Sequence, residues 1–452
     1  MHYYQRLLSS AIALAIAAAS LVSAQCPLKI EGADAASIGI YVKDLTSGKV
    51  LVDYNSNQAL TPASVTKALT SATALSMLGA DFRFTTTVGC SGDISGGRCS
   101  GNLVINASGD PTIGSKQFRR AEAFTDSVIA AVRRAGIKSF GGTVVIRENM
   151  LDQGPVPQWE IEDVAWPYGA GLHAFNYAGN TVYVNPVTGK SVPESNLKVT
   201  LLPASDKDGN DMLRGINSQN LTVWGTAKSR NMKNWRLETT IPDPAEVYAG
   251  LLIAKLNNAG ISIGNKKSKA DNNKIKVLYL HESPELRAIC RDLMKRSDNL
   301  FAEGMLRAIL PGKSRADCIK AEKEFWNNND VSTRYVMVSD GSGLTRSNRM
   351  SARFLGNMLE WMIKSPAASD YINFFPLAGI DGTLKSLLAK TRLKGRLAMK
   401  TGSMASVQAY AGYKVDAGGH PTHVVVIMVN GFFCSRSSLR KQTEAFLLDT
   451  FK

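Results

Sequence analysis

Ser64-Val65-Thr66-Lys67 places a hydroxyl and an amine three residues apart, at the head of a segment rich in Ala and Leu. In a helix that spacing puts both side chains on one face, a turn apart. A serine beside a lysine is the material for nucleophilic catalysis without histidine. The amine works as a base only if its pKa falls far below the ordinary value of about 10.4. Burial and a neighbouring cation both push it down. The same helix start leaves backbone N–H groups free to face an oxyanion. Alone the pattern is weak, because SxxK recurs at Ser195–Lys198 and Ser438–Lys441.

Two further motifs add weight. Ser297-Asp298-Asn299 falls between two helical stretches, as a bridging turn would, and Lys400-Thr401-Gly402 ends a strand-like run. SxN also recurs, at Ser218–Asn220 and Ser229–Asn231, whereas Lys-Thr-Gly occurs once. The information lies in the ordered set, each member in its own structural context. Other chemistries find less support. Of the five histidines (His2, His173, His281, His420, His423), none falls in an HExxH pattern. The one GxSxG match, Gly260 to Gly264 around Ser262, follows a helical stretch and precedes a basic loop, where a nucleophile elbow needs strand then helix. No phosphate-binding loop, CxxC pair or zinc-spaced cluster is present, so no cofactor and no metal is expected.

The chain resembles the class C low-molecular-mass penicillin-binding proteins, serine D-alanyl-D-alanine carboxypeptidases and endopeptidases. The resemblance extends beyond the three motifs to Ser108-Gly109-Asp110-Pro111-Thr112, to Asp340-Gly-Ser-Gly-Leu344 with Thr345-Arg346, and to Ala378-Gly-Ile-Asp381-Gly-Thr383-Leu384. Ser64 and Ser297 are 233 residues apart, and Ser297 and Lys400 only 103. Single-domain relatives such as β-lactamases keep the first two motifs far closer. A large insertion between them marks this class.

The resemblance implies roles. Ser64 attacks the carbonyl between two D-alanines, with Lys67 as base. Ser297 relays the proton to the leaving amine, and Asn299 binds Lys67 and the substrate amide. Lys400 lowers the pKa of Lys67 and attracts the terminal carboxylate, which Thr401 and Gly402 help to bind. The backbone N–H groups of Ser64 and Ser403 form the oxyanion hole. In this class the insertion covers the cleft and contacts the side-chain amine of the third peptide residue. Trp159-Glu-Ile-Glu162-Asp163 and Tyr168 supply aromatic walls and a carboxylate for an ammonium; a structural loop with exposed acids is the rival reading. Arg346 and Met404 are expected to line the same pocket. The implied partners are peptidoglycan stem peptides ending in D-Ala-D-Ala and β-lactam antibiotics, with no nucleic acid.

The elements that must hold these residues are legible in outline. Residues 36–54 read as two strands around Thr46-Ser47-Gly48, and 62–79 as a helix with Pro62 in its first turn. From 81 to 281 short β-like runs (FTTTV, NLVIN, GTVVI, TVYVN, KVTLL, LTVWG) alternate with turn residues, interrupted by helical stretches near 119–135 and 244–258. Helices are then expected at 284–296, 299–309, 315–327 and 352–363, strands at LAMKTG, AYAGYKV and HVVVIMVNG, and an amphipathic helix near 437–449. The expected fold is α/β (α+β), of the serine DD-peptidase/β-lactamase type, with an antiparallel sheet flanked by helices. One catalytic domain is built from 25–80 and 282–452, with 81–281 inserted as β-rich domain or domains.

Composition and termini frame this reading. In 452 residues, 44% are hydrophobic and 20% charged, which supports a large core and excludes global disorder. The formal charge of +15 suits an acidic wall-like surface but is not specific to one. Residues 1–24 read as a secretory signal: Arg6, the apolar 11–22, then Val22-Ser23-Ala24. A membrane span needs about 20 apolar residues, so this segment is too short to anchor. Lipidation of Cys26 is the rival, opposed by Gln25. Export to the periplasm makes disulfides the natural reading of the six cysteines. Cys90–Cys99 would close a Gly/Ser-rich loop, leaving Cys290–Cys318 and Cys26–Cys434; free buried cysteines are the alternative. A serine β-lactamase, a non-catalytic wall-binding scaffold and an esterase on Ser262 remain the competing functions.

Overall fold

The computed structural model describes residues 26–29, 35–202, 211–225 and 236–452. The expected secretory signal lies outside the described residues. Strands β1 (Ser37–Asp44) and β2 (Val50–Tyr54) form a hairpin. Its turn is fixed by the Asp44 carboxylate, which accepts from the N–H groups of Thr46 and Ser47 at 2.8 and 2.9 Å. The other strands of this sheet come from the far end of the chain: β3 (Leu397–Met404), β4 (Val407–Val415) and β5 (Pro421–Asn430). The order is β3-β4-β5-β1-β2, antiparallel throughout. Ends of the chain far apart in sequence therefore share one sheet, and β3, which carries Lys400-Thr401-Gly402, is an edge strand.

Alternation along β5 shows why the sheet is covered on both sides. Val424, Val426 and Met428 face one core; Val425, Ile427 and Val429 face another. The first core takes helices α1 (Thr66–Leu78), α2 (Leu286–Arg296), α3 (Asn299–Ala308), α4 (Arg315–Asn328) and α5 (Ala352–Lys364). The second takes α6 (Arg436–Thr450) through Leu439, Phe446 and Leu447. Every residue from Thr66 to Leu75 is buried. A helix buried all round is central core, so its polar side chains need partners. Thr70 donates to the Gly341 carbonyl at 2.7 Å, and Thr73 to Glu322 at 3.0 Å. The serine-lysine pair thus sits at the head of a helix buried on every side.

Residues 81–281 form further sheets with their own cores. In one, Ile275–Glu282 pairs with Thr85–Ser91, followed by Leu103–Asn106 and Val144–Arg147. Phe124–Arg134 and Pro244–Asn258 pack on it. The second core gathers around Val182, Val184, Leu221 and Val223. The segment leaves and returns on adjacent antiparallel strands, so its two ends lie side by side. The expected helix near 119–135 is broken at Ala123 into two pieces.

The expected disulfides are not formed: all six cysteines are free. Cys90 and Cys99 sit thiol to thiol, and Cys99 also donates to the Ser91 carbonyl at 3.2 Å. Cys290 is buried beside the Ser71 hydroxyl, whereas Cys318 lies against Arg307 and Leu310. Cysteines that fill apolar space behave as small hydrophobes, and export alone does not pair them.

Candidate active site

The chain enters α1 through a single tight turn, Ala63–Val65, with Ala63 at φ +48°. That left-handed residue, costly for alanine, turns the chain so that Ser64 stays partly exposed while Lys67 is fully buried. Lys67 Nζ lies 3.0 Å from Ser64 Oγ. It also donates to Asn299 Oδ1 at 2.6 Å and to the Ser342 carbonyl at 2.5 Å. Burial lowers its pKa to about 8, against the opposing pull of the Asp340, Glu303 and Asp298 carboxylates. A neutral amine has two N–H bonds and one lone pair. The two carbonyl acceptors take the N–H bonds, so the lone pair is left for the Ser64 hydroxyl.

The Ser297-Asp298-Asn299 turn ends α2 and starts α3. Ser297 is left-handed, with φ 62° and ψ 40°, a conformation uncommon for a non-glycine residue. It brings the Ser297 hydroxyl to Lys400 Nζ at 2.9 Å. Asp298, the motif's variable position, caps α3 by accepting from Phe301 N–H at 3.0 Å. Asn299 donates its amide N–H to the Tyr168 carbonyl at 2.7 Å. That bond fixes the amide's orientation and turns its oxygen toward Lys67. The inserted segment therefore completes the motif through a backbone atom.

Lys400 is fully buried, and burial first, then the charge of Lys67, holds its pKa well below the ordinary lysine value. Burial is what lowers Lys67 as well, so Lys400 is not the main reason for the low pKa of the base. Lys400 is steadied by the Thr401 carbonyl at 2.7 Å. Thr401 Oγ1 meets Thr383 Oγ1 at 2.8 Å. The block around Asp381 is tied to α2 by an ion pair with Lys295.

Gly402 explains the last letter of its motif. A Cβ built there would stand 2.3 Å from the Pro62 carbonyl and 3.1 Å from Ser64 N. Only glycine lets the edge strand approach the nucleophile's turn this closely. Gly402→Ala is expected to push β3 from Ser64 and slow acylation by a β-lactam about 100-fold, a typical loss for a damaged oxyanion site. Stopped-flow acylation rates measure it.

Two cavities meet at Ser64. One, of about 380 Å³, is lined by Ser64, Asp163, Tyr168, Asn299, Arg346, Ser403 and Met404. The structure thus brings together most of the expected pocket residues. Tyr168 donates to Asp163 at 3.0 Å, and Arg346 pairs with Glu160 at 3.2 Å. Burial raises the pKa of both Asp163 and Tyr168. The other cavity, of about 580 Å³, is lined by Ser64, Thr383, Thr401 and Ser403 together with Tyr410, Arg436 and Arg440. Arg436 and Arg440 had no motif to announce them.

Trp159 is not a wall of either cavity. It is 4% exposed, and its indole N–H donates to Asp340 at 2.8 Å. A buried indole needs such a partner, and Asp340 is the hub that also accepts from Gly343 and Thr345 N–H and from Asn348. Trp159 anchors the 81–281 segment on the Asp340 loop between α4 and α5 and is not an aromatic face for substrate. Ser262 lies exposed in a two-residue strand, with no elbow. Among the described residues no three or more His, Cys, Asp or Glu side chains are gathered as a metal ion requires.

Comparison with known proteins places the chain among its relatives. D-alanyl-D-alanine carboxypeptidase DacB of Haemophilus influenzae is 24% identical over 449 residues, 93% of this chain and 90% of that protein. A D-alanyl-D-alanine carboxypeptidase of Actinomadura is 26% identical over 83% of this chain and 74% of its own. The crystal structure of penicillin-binding protein 4 (dacB) from Haemophilus influenzae superposes with a TM-score of 0.79 at 23% identity, covering 94% of this chain and all (100%) of that one. The fold is thus that of the DD-peptidase and β-lactamase group, with an antiparallel sheet flanked by helices. The model of the D-Ala-D-Ala carboxypeptidase 3 (S13) family matches residues 28–448, so the chain belongs to that family and is a serine-type D-Ala-D-Ala carboxypeptidase.

Proposed function

We propose that the protein acts on peptidoglycan stem peptides ending in D-Ala-D-Ala through an acyl-enzyme on Ser64, and that β-lactams acylate the same oxygen. The observation that carries this is the hydrogen-bonding of Lys67, whose three neighbours leave the nitrogen lone pair for one hydroxyl only. Lys67 takes the Ser64 proton as Oγ bonds the penultimate D-Ala carbonyl carbon. The carbonyl's charge passes to an oxyanion facing the N–H groups of Ser64 and Ser403. The C–N bond then breaks, and Ser297, held by Lys400, relays to the departing amine the proton that Lys67 took from Ser64, so that both Ser297 and Lys67 return to their starting protonation. Lys400, Thr401 and Thr383 lie where the terminal carboxylate would rest. Water hydrolyses the ester and restores Ser64. The pocket of Asp163, Tyr168, Arg346 and Met404 takes the third residue of the stem peptide, with the Asp163 carboxylate toward its amine. Such a substrate lies outside the cytoplasm, which fits the export signal read from residues 1–24 and a periplasmic location. Among the described residues no helix is long and apolar enough to cross a membrane.

The test is a pair of kinetic measurements on the wild-type protein. A peptide ending in D-Ala-D-Ala should release D-alanine, faster with a free third-residue amine than with that amine acetylated. Benzylpenicillin should give a stoichiometric burst and then stall. Rapid continuous turnover of penicillin would place the chain with the β-lactamases instead, and neither release nor burst would leave a wall-binding scaffold.

A further inference from the structure

Beneath Lys67 lies a buried carboxylate that none of the catalytic steps uses. Glu303, on α3, is 1% exposed. Its Oε1 accepts from Gly341 N–H at 3.0 Å and from Ser342 N–H at 2.9 Å. Its Oε2 is buried and has no hydrogen-bond partner among the described residues. The Ser342 carbonyl, on the same short loop, is the acceptor 2.5 Å from Lys67 Nζ. The loop is gripped from α1 too, where Thr70 donates to the Gly341 carbonyl at 2.7 Å. A Cβ on Gly343 would stand 2.0 Å from the Ala63 carbonyl, so the loop packs directly beneath the nucleophile's turn. One carboxylate oxygen thus anchors the two peptides that lead directly into the Ser342 carbonyl, the acceptor for the amine of the base.

We propose that Glu303 is a positioning residue for Lys67: by holding the Gly341 and Ser342 N–H groups it keeps the loop's Ser342 carbonyl against the amine, and its charge sets how readily that amine gives up a proton. This rests on Lys67 being the base. The charge has a defined sign. An ionised Glu303 favours the ammonium form of Lys67, and a neutral one does not. Glu303 is itself poised, its pKa raised to about 7 by burial and by Asp340, with Arg315 and the Ser342 N–H acting the other way. Glu322 on α4 is the other acid that feels Glu303, and burial raises it also to about 7. Lys67 in turn feels Asp340 and Asp298 besides Glu303. The base and the acid below it therefore titrate in overlapping ranges. An isolated buried lysine would lose its proton over a narrow span; this pair spreads the change.

Penicillin acylation rates against pH test the idea. The rate rises with pH as the amine becomes neutral. In Glu303→Gln the amide oxygen still accepts both N–H groups, but the charge is gone. The pH of half-maximal acylation should then fall by about one, a several-fold gain at pH 7 relative to the variant's own plateau. Thr70→Val loosens the same loop without touching charge. It should lower the plateau and leave the half-maximal pH in place. An unmoved midpoint in Glu303→Gln, or an equal shift in Thr70→Val, overturns the proposal. The wild-type curve is a second measurement that needs no variant: its acid limb should be broader than a single ionisation, and a single-ionisation limb overturns the proposal as well. Absence of any penicillin adduct on the wild type would instead overturn the reading of the site itself.

Discussion

Ser64→Ala should abolish the covalent adduct with fluorescent penicillin and lower D-alanine release by about 10⁴-fold or more, the scale of losing a nucleophile from a preorganised site. The oxyanion N–H groups and both cavities stay, so substrate binding should survive. Stability should change little. Among the described residues the hydroxyl's side-chain hydrogen-bond partner is Lys67 at 3.0 Å, and Ser64 lies partly exposed, where loss of one oxygen leaves no buried cavity. Thermal melts of the variant within about 2 °C of wild type would show that chemistry and not folding was lost. Intact-mass measurement after incubation with benzylpenicillin gives the sharper reading. A retained adduct would mean that another side chain is acylated. Ser262→Ala provides the contrast, because Ser262 sits in an exposed two-residue strand paired with Ser139–Phe140 and should label as wild type does.

The parts of this site that the sequence revealed are those whose chemistry depends on local spacing. Ser64 and Lys67 are a turn apart on one helix, so three residues of sequence state their geometry. The continuous apolar run of β5 and the helical stretch of α5 were likewise legible locally. What stayed hidden depends on contacts between distant segments. The bond from Asn299 to the Tyr168 carbonyl uses a backbone oxygen, which any residue type offers, so no side chain announces it. Trp159 looked like an exposed aromatic wall because an indole serves a ligand and a buried carboxylate equally well. Only the position of Asp340 decides which. Gly402 has an ordinary glycine's signature; the nearby Pro62 carbonyl that requires it is 340 residues away in sequence. The cysteines failed for a related reason. Spacing does not announce which side chains meet: Cys90 and Cys99 do sit side by side, while Cys290 and Cys318 each lie against other partners.

Lys67→Met should remove acylation while costing the fold little at neutral pH, because catalysis and stability pull against each other at this residue. Methionine matches the length and apolar stem of lysine but has no base, so acylation should drop by about 10⁴-fold. For the fold, two terms oppose. The Ser342 carbonyl and Asn299 Oδ1 each lose a donor, at about 1–3 kcal/mol apiece if left dry. Against this, wild-type folding must carry a buried ammonium. Its pKa falls from 10.5 to about 8 on burial, and at pH 7 that difference corresponds to about 3 kcal/mol of lost stability. The terms are similar in size, so the variant's stability at pH 7 should lie near that of wild type. The pH dependence separates them. A depressed lysine pKa means that the unfolded chain binds more protons between about pH 8 and pH 10.5, so wild-type stability gains from this residue as pH rises through that window. The methionine variant lacks that gain. Relative to wild type it should therefore become steadily less stable from pH 8 to pH 10, as read by urea unfolding at each pH. A difference between the two proteins that stays constant with pH would show that Lys67 keeps an ordinary proton affinity, and it could then not be the base. Acylation within tenfold of wild type would show the same thing from the side of the chemistry.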